Sequence, residues 1–258
     1  ELRGRVWLLV TGQEKLDNQS TSQVLGKLKD RFPLKYRVHL FPSNIRDVVH
    51  KRLLEKNNTS KEVLKNLYNE NKHKLQLYSY GSDNITADEF VEVYPLLPGQ
   101  IDLLMEITSQ IRTQSDKAQG DAQAIRGLMQ MLGELFRDQQ LNLSNKNLGV
   151  LISIDQFFDL QESSLPSETQ NSLSRIFSDY KDKPALYLRV IKAVALLSMI
   201  NEQKSTTVEL ITRCLYNNVS LGDQTDEITK ILKELTEGNV LGHSPKLGYS
   251  IHSTAAQE

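Results

Sequence analysis

Apolar positions in this chain follow three rhythms. Val6 to Val10 form a continuous apolar run, as in a strand buried on both faces. Tyr36 to Phe41 alternate, with Tyr36, Val38 and Leu40 on one side, and read as a second strand closed by Pro42. Elsewhere the spacing is helical. Ser22 to Asp30 predict a short helix ended by Arg31-Phe32-Pro33, because proline disfavours helix at the residue before it. Ser43 is a good N-cap for a helix with Ile45, Val48, Val49 and Leu53 as its apolar stripe. Arg46, His50, Lys51, Arg52 and Lys56 decorate its other faces and read as a solvated surface.

The centre of the chain continues in helices. Lys61 to Tyr68 predict one, followed by a polar, Gly-containing stretch over Lys72 to Asn84 that is in part a connector. Thr86 and Glu89 have the spacing of a capping box ahead of Phe90 and Val91. Tyr94-Pro95-Leu96-Leu97-Pro98 cannot be regular helix and reads as a buried bend. Ile101, Leu104, Met105, Thr108 and Ile111 return to helical spacing, and Gln114 to Gln123 read as a loop. Asp121 caps a helix whose inward face is Ile125, Leu128, Met129, Leu132 and Phe136, with Arg126 off that stripe. Leu148 to Ile154 is an apolar run of undetermined type, and Gln161 to Glu168 reads as a linker.

The last third changes character. Ala185 to Ile200 is apolar almost all round, as a central buried helix would be. Thr206 or Thr207 caps a second helix through Leu215, and a third runs from Thr225 to Glu237 with Ile228, Ile231, Leu232 and Leu235 inward. Two short strands, 239–242 and 247–252, flank a turn at His243-Ser244-Pro245-Lys246 and make a hairpin. Three helices and a terminal hairpin are the layout of a winged-helix domain.

Composition narrows the functions available. The 258 residues can bury a sizeable core, and a net charge of -1 gives no global field toward nucleic acid or acidic membranes. A charged fraction of 24% and an apolar fraction of 39% are those of an ordinary soluble chain with no membrane partner, and a cytoplasmic location is expected. The single cysteine, Cys214, excludes an intramolecular disulfide and reads as a packed thiol rather than a nucleophile. His39, His50, His73, His243 and His252 show no metal-ligand spacing, so no structural zinc is expected.

The first apolar run ends at Thr11-Gly12-Gln13. An inner strand of a parallel nucleotide-binding sheet delivers polar side chains to a ligand at that carboxyl edge. No G-x-x-x-x-G-K-[ST] loop is present in the sequence. The stretches RGRVWLLVTGQEKL, YPLLPGQIDLL, AIRGLMQML and LGYSIHS resemble the large AAA-like P-loop ATPase of bacterial BREX phage-defence systems. The resemblance implies a mainly α fold with small β. Residues 1–57 would be the end of an AAA-like α/β core, a two-strand remnant. Residues 58–160 would be a helical lid, 161–184 a linker and 185–253 a winged-helix domain.

It also implies roles for particular residues. Thr11 and Gln13 match the sensor 1 position, where a hydroxyl or amide orients an attacking water. Arg31 matches the arginine finger and Arg126 the sensor 2 position of the lid. The cofactors implied are ATP and Mg for the full-length parent, and none for this stretch, which lacks the phosphate cradle. The partners implied are other subunits of a defence complex, DNA, and a second copy of the chain, the last through its two apolar strands.

Plainer roles compete with each of these. In the plainer readings Thr11 ends a strand by bonding to a turn, and Arg31 pairs with Asp30 or caps a helix C-terminus. Arg126 stands near a helix N-terminus, a poor place for a cation unless an anion comes close. For DNA contact the candidates are Lys230, Lys233 and Lys246. Asp226, Glu227, Glu234 and Glu237 outnumber them on the same helix, so docking of protein is favoured over readout of bases.

Overall fold

The structure is a computed structural model that describes residues 8–10, 32–38, 45–78, 85–114, 121–137 and 142–252, with the backbone alone at 45–48, 77–78, 112–114, 121–126 and 144. It is mainly helical with a small sheet. Among the described residues there are ten α-helices and one two-stranded antiparallel sheet. The helices are α1 (Ile45–Leu53), α2 (Asn58–Tyr78), α3 (Ala87–Val93), α4 (Gln100–Gln114), α5 (Asp121–Arg137), α6 (Ile154–Gln161), α7 (Ser167–Tyr180), α8 (Ala185–Leu197), α9 (Val208–Leu215) and α10 (Thr225–Glu237). The strands are β1 (Leu241–Ser244) and β2 (Gly248–Ile251).

Helix α8 is the hub. It packs against α6, α7, α9, α10 and β2, and its Val190, Ile191 and Ala193 to Leu197 are buried. Each large aliphatic side chain removed from water in this way contributes about 1.5–3 kcal/mol. Around it, α10 turns Ile228, Ile231, Leu232 and Leu235 inward, as its spacing requires. The central helices join the same core, with α2 packed on α3 and α9, α4 on α5, and α5 on α6.

Two ion pairs join α6 to α8. Arg189 Nε lies 2.9 Å from Asp155 Oδ2, and Lys192 Nζ lies 2.6 Å from Asp159 Oδ1. The pairs differ in burial. The Asp155 side chain is 11% exposed and that of Asp159 is 59% exposed. Arg189 Nη2 also donates to Leu215 O at 2.8 Å, the last residue of α9, and to Ser153 Oγ at 3.3 Å. The cation therefore stands between a carboxylate in the first turn of α6 and a carbonyl at the end of α9, where both helix dipoles favour that order of charge. Lys192 lies over the rings of Phe158 and Phe177, 5.8 and 5.9 Å from their centroids.

Local signals explain most boundaries. Thr86 and Glu89 form the expected capping box, with Thr86 N donating to Glu89 Oε2 at 2.7 Å and Glu89 N to Thr86 Oγ1 at 3.2 Å. The bend after α3 buries Leu96, Leu97 and Pro98. The apolar run at 148–154 resolves into a turn at Leu148 and Gly149 and a short segment that Leu151 N ties to Asn217 O and Ile152 N to Pro95 O, before α6 begins at Ile154.

Three expectations are corrected. Residues 8–10 are not strand, and the 36–41 alternation starts in a 3-10 turn, Leu34–Tyr36, followed by extended Arg37 and a Val38 that is not in a strand. Their apolar side chains are open, with Leu9 92% and Val38 90% exposed. A strand needs a neighbouring ladder, and no described residue supplies one there. The rest of both runs, and the helix at 22–30, lies outside the described residues. Second, the connector from Lys72 is helix as far as Tyr78, and Leu75 is buried within it. The backbone departs from helix only at Asn71, whose Nδ2 donates to Leu67 O at 2.9 Å. Third, residues 161–184 are not an open linker. A 3-10 turn at Glu162–Ser164 leads into α7, which buries Ser172, Leu173 and Ile176.

The hairpin pairs Leu241 with Ile251, Gly242 with Ser250, His243 with Tyr249 and Ser244 with Gly248. It is tied to the entrance of α9 by Thr206, whose N donates to Leu247 O at 3.0 Å and whose O accepts from Tyr249 N at 3.0 Å. Gly248 has φ +76, and a Cβ there would sit 2.2 Å from Thr206 O.

Four substitutions probe these elements. Gly248→Ala should cost roughly 2–4 kcal/mol in urea denaturation. Gly133→Ala, inside α5 with nothing within 4 Å of the new Cβ, should gain about 0.5–1 kcal/mol. Arg189→Met leaves Asp155 buried without its partner and should cost about 3 kcal/mol, whereas Lys192→Met should cost about 1 kcal/mol or less because Asp159 stays hydrated.

Candidate functional site

The residues matched to nucleotide sensing fall mostly beyond what can be described. Thr11, Gln13 and Arg31 lie outside the described residues. Arg126 lies on α5, five residues after its start, with its side chain outside the description. The three candidate DNA contacts are described and all are exposed: Lys230 and Lys233 on α10, Lys246 in the turn between β1 and β2.

The outer face of α10 follows from its amphipathic spacing. With the four aliphatic residues inward, Asp226, Glu227, Thr229, Lys230, Lys233 and Glu237 are exposed. Lys233 Nζ is 3.8 Å from Glu237 Oε1, so part of its charge is answered within the helix. Asp226 and Glu227 occupy the first turn, where the helix dipole favours them. On the hairpin, the His243 ring packs on Tyr249 with centroids 4.6 Å apart. The arrangement offers two cations on the helix and one on the turn, among an excess of carboxylates.

A second polar cluster fastens α10 to its neighbours. Tyr187 donates to Glu234 Oε2, and Tyr180 stacks on Tyr187 with centroids 6.2 Å apart. The bond to Glu234, followed by burial, raises the Tyr187 phenol above its ordinary range. Burial also raises the phenols of Tyr68, Tyr94, Tyr180 and Tyr249.

The third cluster lies where α1, α2 and α3 meet. His50 Nδ1 is 2.9 Å from Glu92 O, and Lys56 Nζ donates to the same oxygen at 3.0 Å. Burial lowers Lys56 to about 8, helped by the charge of Lys61 and opposed by that of Glu92. Sequence spacing placed Lys56 on a solvated surface. Its fold-dependent neighbour, the Glu92 carbonyl, leaves no trace in the local sequence.

Among the described residues no group of three His, Cys, Asp or Glu side chains is placed to hold a metal ion. Cys214 is buried in α9. No described helix is long and apolar enough to cross a membrane. No protein-family model matches the chain, and no solved structure matches it significantly.

Lys56 gives stability a defined pH dependence. Its folded value is about 8 against an ordinary 10.5, so between these limits the unfolded chain binds more protons. Lys56 therefore adds stability as pH rises through that window. The tyrosines act oppositely: their raised phenols contribute stability that is present below about pH 10 and lost above it. Urea midpoints for Lys56→Met and the parent, measured from pH 7 to pH 10, should shift relative to each other, the parent gaining on the variant as pH rises. Parallel curves would remove Lys56 as the titrating group.

Proposed function

We propose that the chain is a helical and winged-helix docking module, and that it serves an AAA-like P-loop ATPase of the BREX phage-defence kind. The order α8, an extended bridge at Thr206, α9, α10, β1 and β2 agrees with winged-helix connectivity, and this supports the finer fold reading. In that reading α2 to α6 act as the lid and Arg126 is its nucleotide-reading residue. ATP and Mg belong to the full-length parent, which would use them to assemble or remodel a cytoplasmic defence complex on DNA.

The observation that carries the docking role is the charge on α10. A helix that reads DNA presents Lys, Arg, Asn or Gln to base edges and phosphates. Here the exposed face has Asp226, Glu227 and Glu237 against Lys230 and Lys233, and Lys233 is engaged by Glu237. Such a face repels phosphate and suits contact with other subunits.

A second reading removes the nucleotide role altogether and keeps only the interaction module. It is favoured by the open, non-strand backbone at residues 8–10 and 36–38, where a nucleotide-binding sheet would need strands.

A mobility-shift titration at low salt tests the docking role. Reversing Lys230 and Lys246 to Glu should leave any retention of a DNA duplex unchanged. Saturable binding that disappears in that double variant would instead make the winged helix a DNA reader.

A further inference from the structure

Helix α2 is two helical pieces joined at Asn71, where φ is -116 and ψ is 16. Every i→i−4 bond that spans such a residue is weakened, so the ladder is thin at that level. The two sides of the break are held very differently. The N-terminal piece is fixed to α3. Lys65 Nζ lies 2.8 Å from Asp88 Oδ1, and the Tyr68 and Phe90 rings have centroids 5.7 Å apart. Tyr68 also donates to Ile85 O, which ties the chain before residues 72–78 to the chain after them. The C-terminal piece, 72–78, has less. Among its described side chains only Leu75 is buried. Lys74 Nζ donates to Val219 O at 3.4 Å, and Gln76 bonds to the Tyr68 hydroxyl. Val219 belongs to the loop between α9 and α10.

We propose that residues 72–78 are a strap that swings on Asn71, latched by Lys74 and Gln76 and seated by Leu75. Its root stays in place because the Tyr68 bond to Ile85 lies on the fixed side of the hinge. Release breaks one long hydrogen bond to a carbonyl and one side-chain bond, and bares one leucine. Few buried apolar contacts and a thinned ladder place the strap at the low end of local stability. An uninterrupted helix opens as a cooperative unit, but the break at Asn71 lets one piece open while the other holds. The latch ends on a backbone carbonyl of the α9–α10 loop, so a shift of that loop frees the strap. The strap thereby couples the C-terminal helices to the end of α2. This goes beyond the docking role, since no residue of α10 takes part.

Amide hydrogen exchange of the full chain, read residue by residue, tests the strap. After correction for intrinsic rates, amides 73–78 should share one rate, about tenfold faster than that of 62–68. Lys74→Met should raise exchange over 73–78 about fivefold and leave 62–68 and the α8 core at 190–197 unchanged. Asn71→Ala puts a strong helix former at the break and should slow exchange over 73–78 about threefold. Both substitutions are at positions outside the core, and the 190–197 amides report that the fold is intact in each variant. Equal protection of the two pieces in the parent overturns the proposal. So does a rate that falls steadily from 78 back to 73, which is fraying from the helix end. An effect of Lys74→Met that spreads over 62–68, or no slowing in Asn71→Ala, overturns it as well.

Discussion

Arg189 is a guanidinium set inside a mostly apolar helix, and the core around α8 closes only if that charge is satisfied. Burying an unpaired cation costs several kcal/mol, more than most single contacts return. The chain meets this demand with three groups from two places: the Ser153 hydroxyl and Asp155 carboxylate at the start of α6, and the Leu215 carbonyl at the end of α9. One side chain thus sets where α6 begins and where α9 ends relative to α8. Lys192, one turn further along, repeats the pairing in a wetter position and adds orientation more than stability.

Much of the helical architecture was legible because its signals are local. Periodic apolar residues located α4, α5, α8, α9 and α10, and Thr86 with Glu89 marked the start of α3 to the residue. What failed to show depended on distant contacts. Leu75 is buried by the fold, although the residues around it are polar enough to pass for a connector. Helix α7 hides in a polar stretch because only Ser172, Leu173 and Ile176 on it are fully covered. The apolar runs near the start have strand letters, but residues 8–10 and 36–38 lack the neighbouring ladder that would make them strands.

The same distinction applies to the candidate sites. Exposure of Lys230, Lys233 and Lys246 could be inferred from helix periodicity and turn composition. The partners of Arg189 and Lys56 could not, because each is a group brought from another element, and in two instances a backbone carbonyl. A lone arginine in an apolar helix was the available clue: such a residue calls for a buried acceptor. The near-zero net charge of the chain hid a local asymmetry, with carboxylates on α10 and ammonium groups at the α1–α2 elbow.

The contact between Gly248 and Thr206 is made of backbone atoms on both sides. This one tie therefore needs no side-chain recognition, and the Thr206 hydroxyl, buried and without a hydrogen-bond partner, takes no part in it. Position 206 is free to drift among residues of similar size, while position 248 is held to glycine. In evolutionary terms this tie is written in one letter, a glycine at position 248.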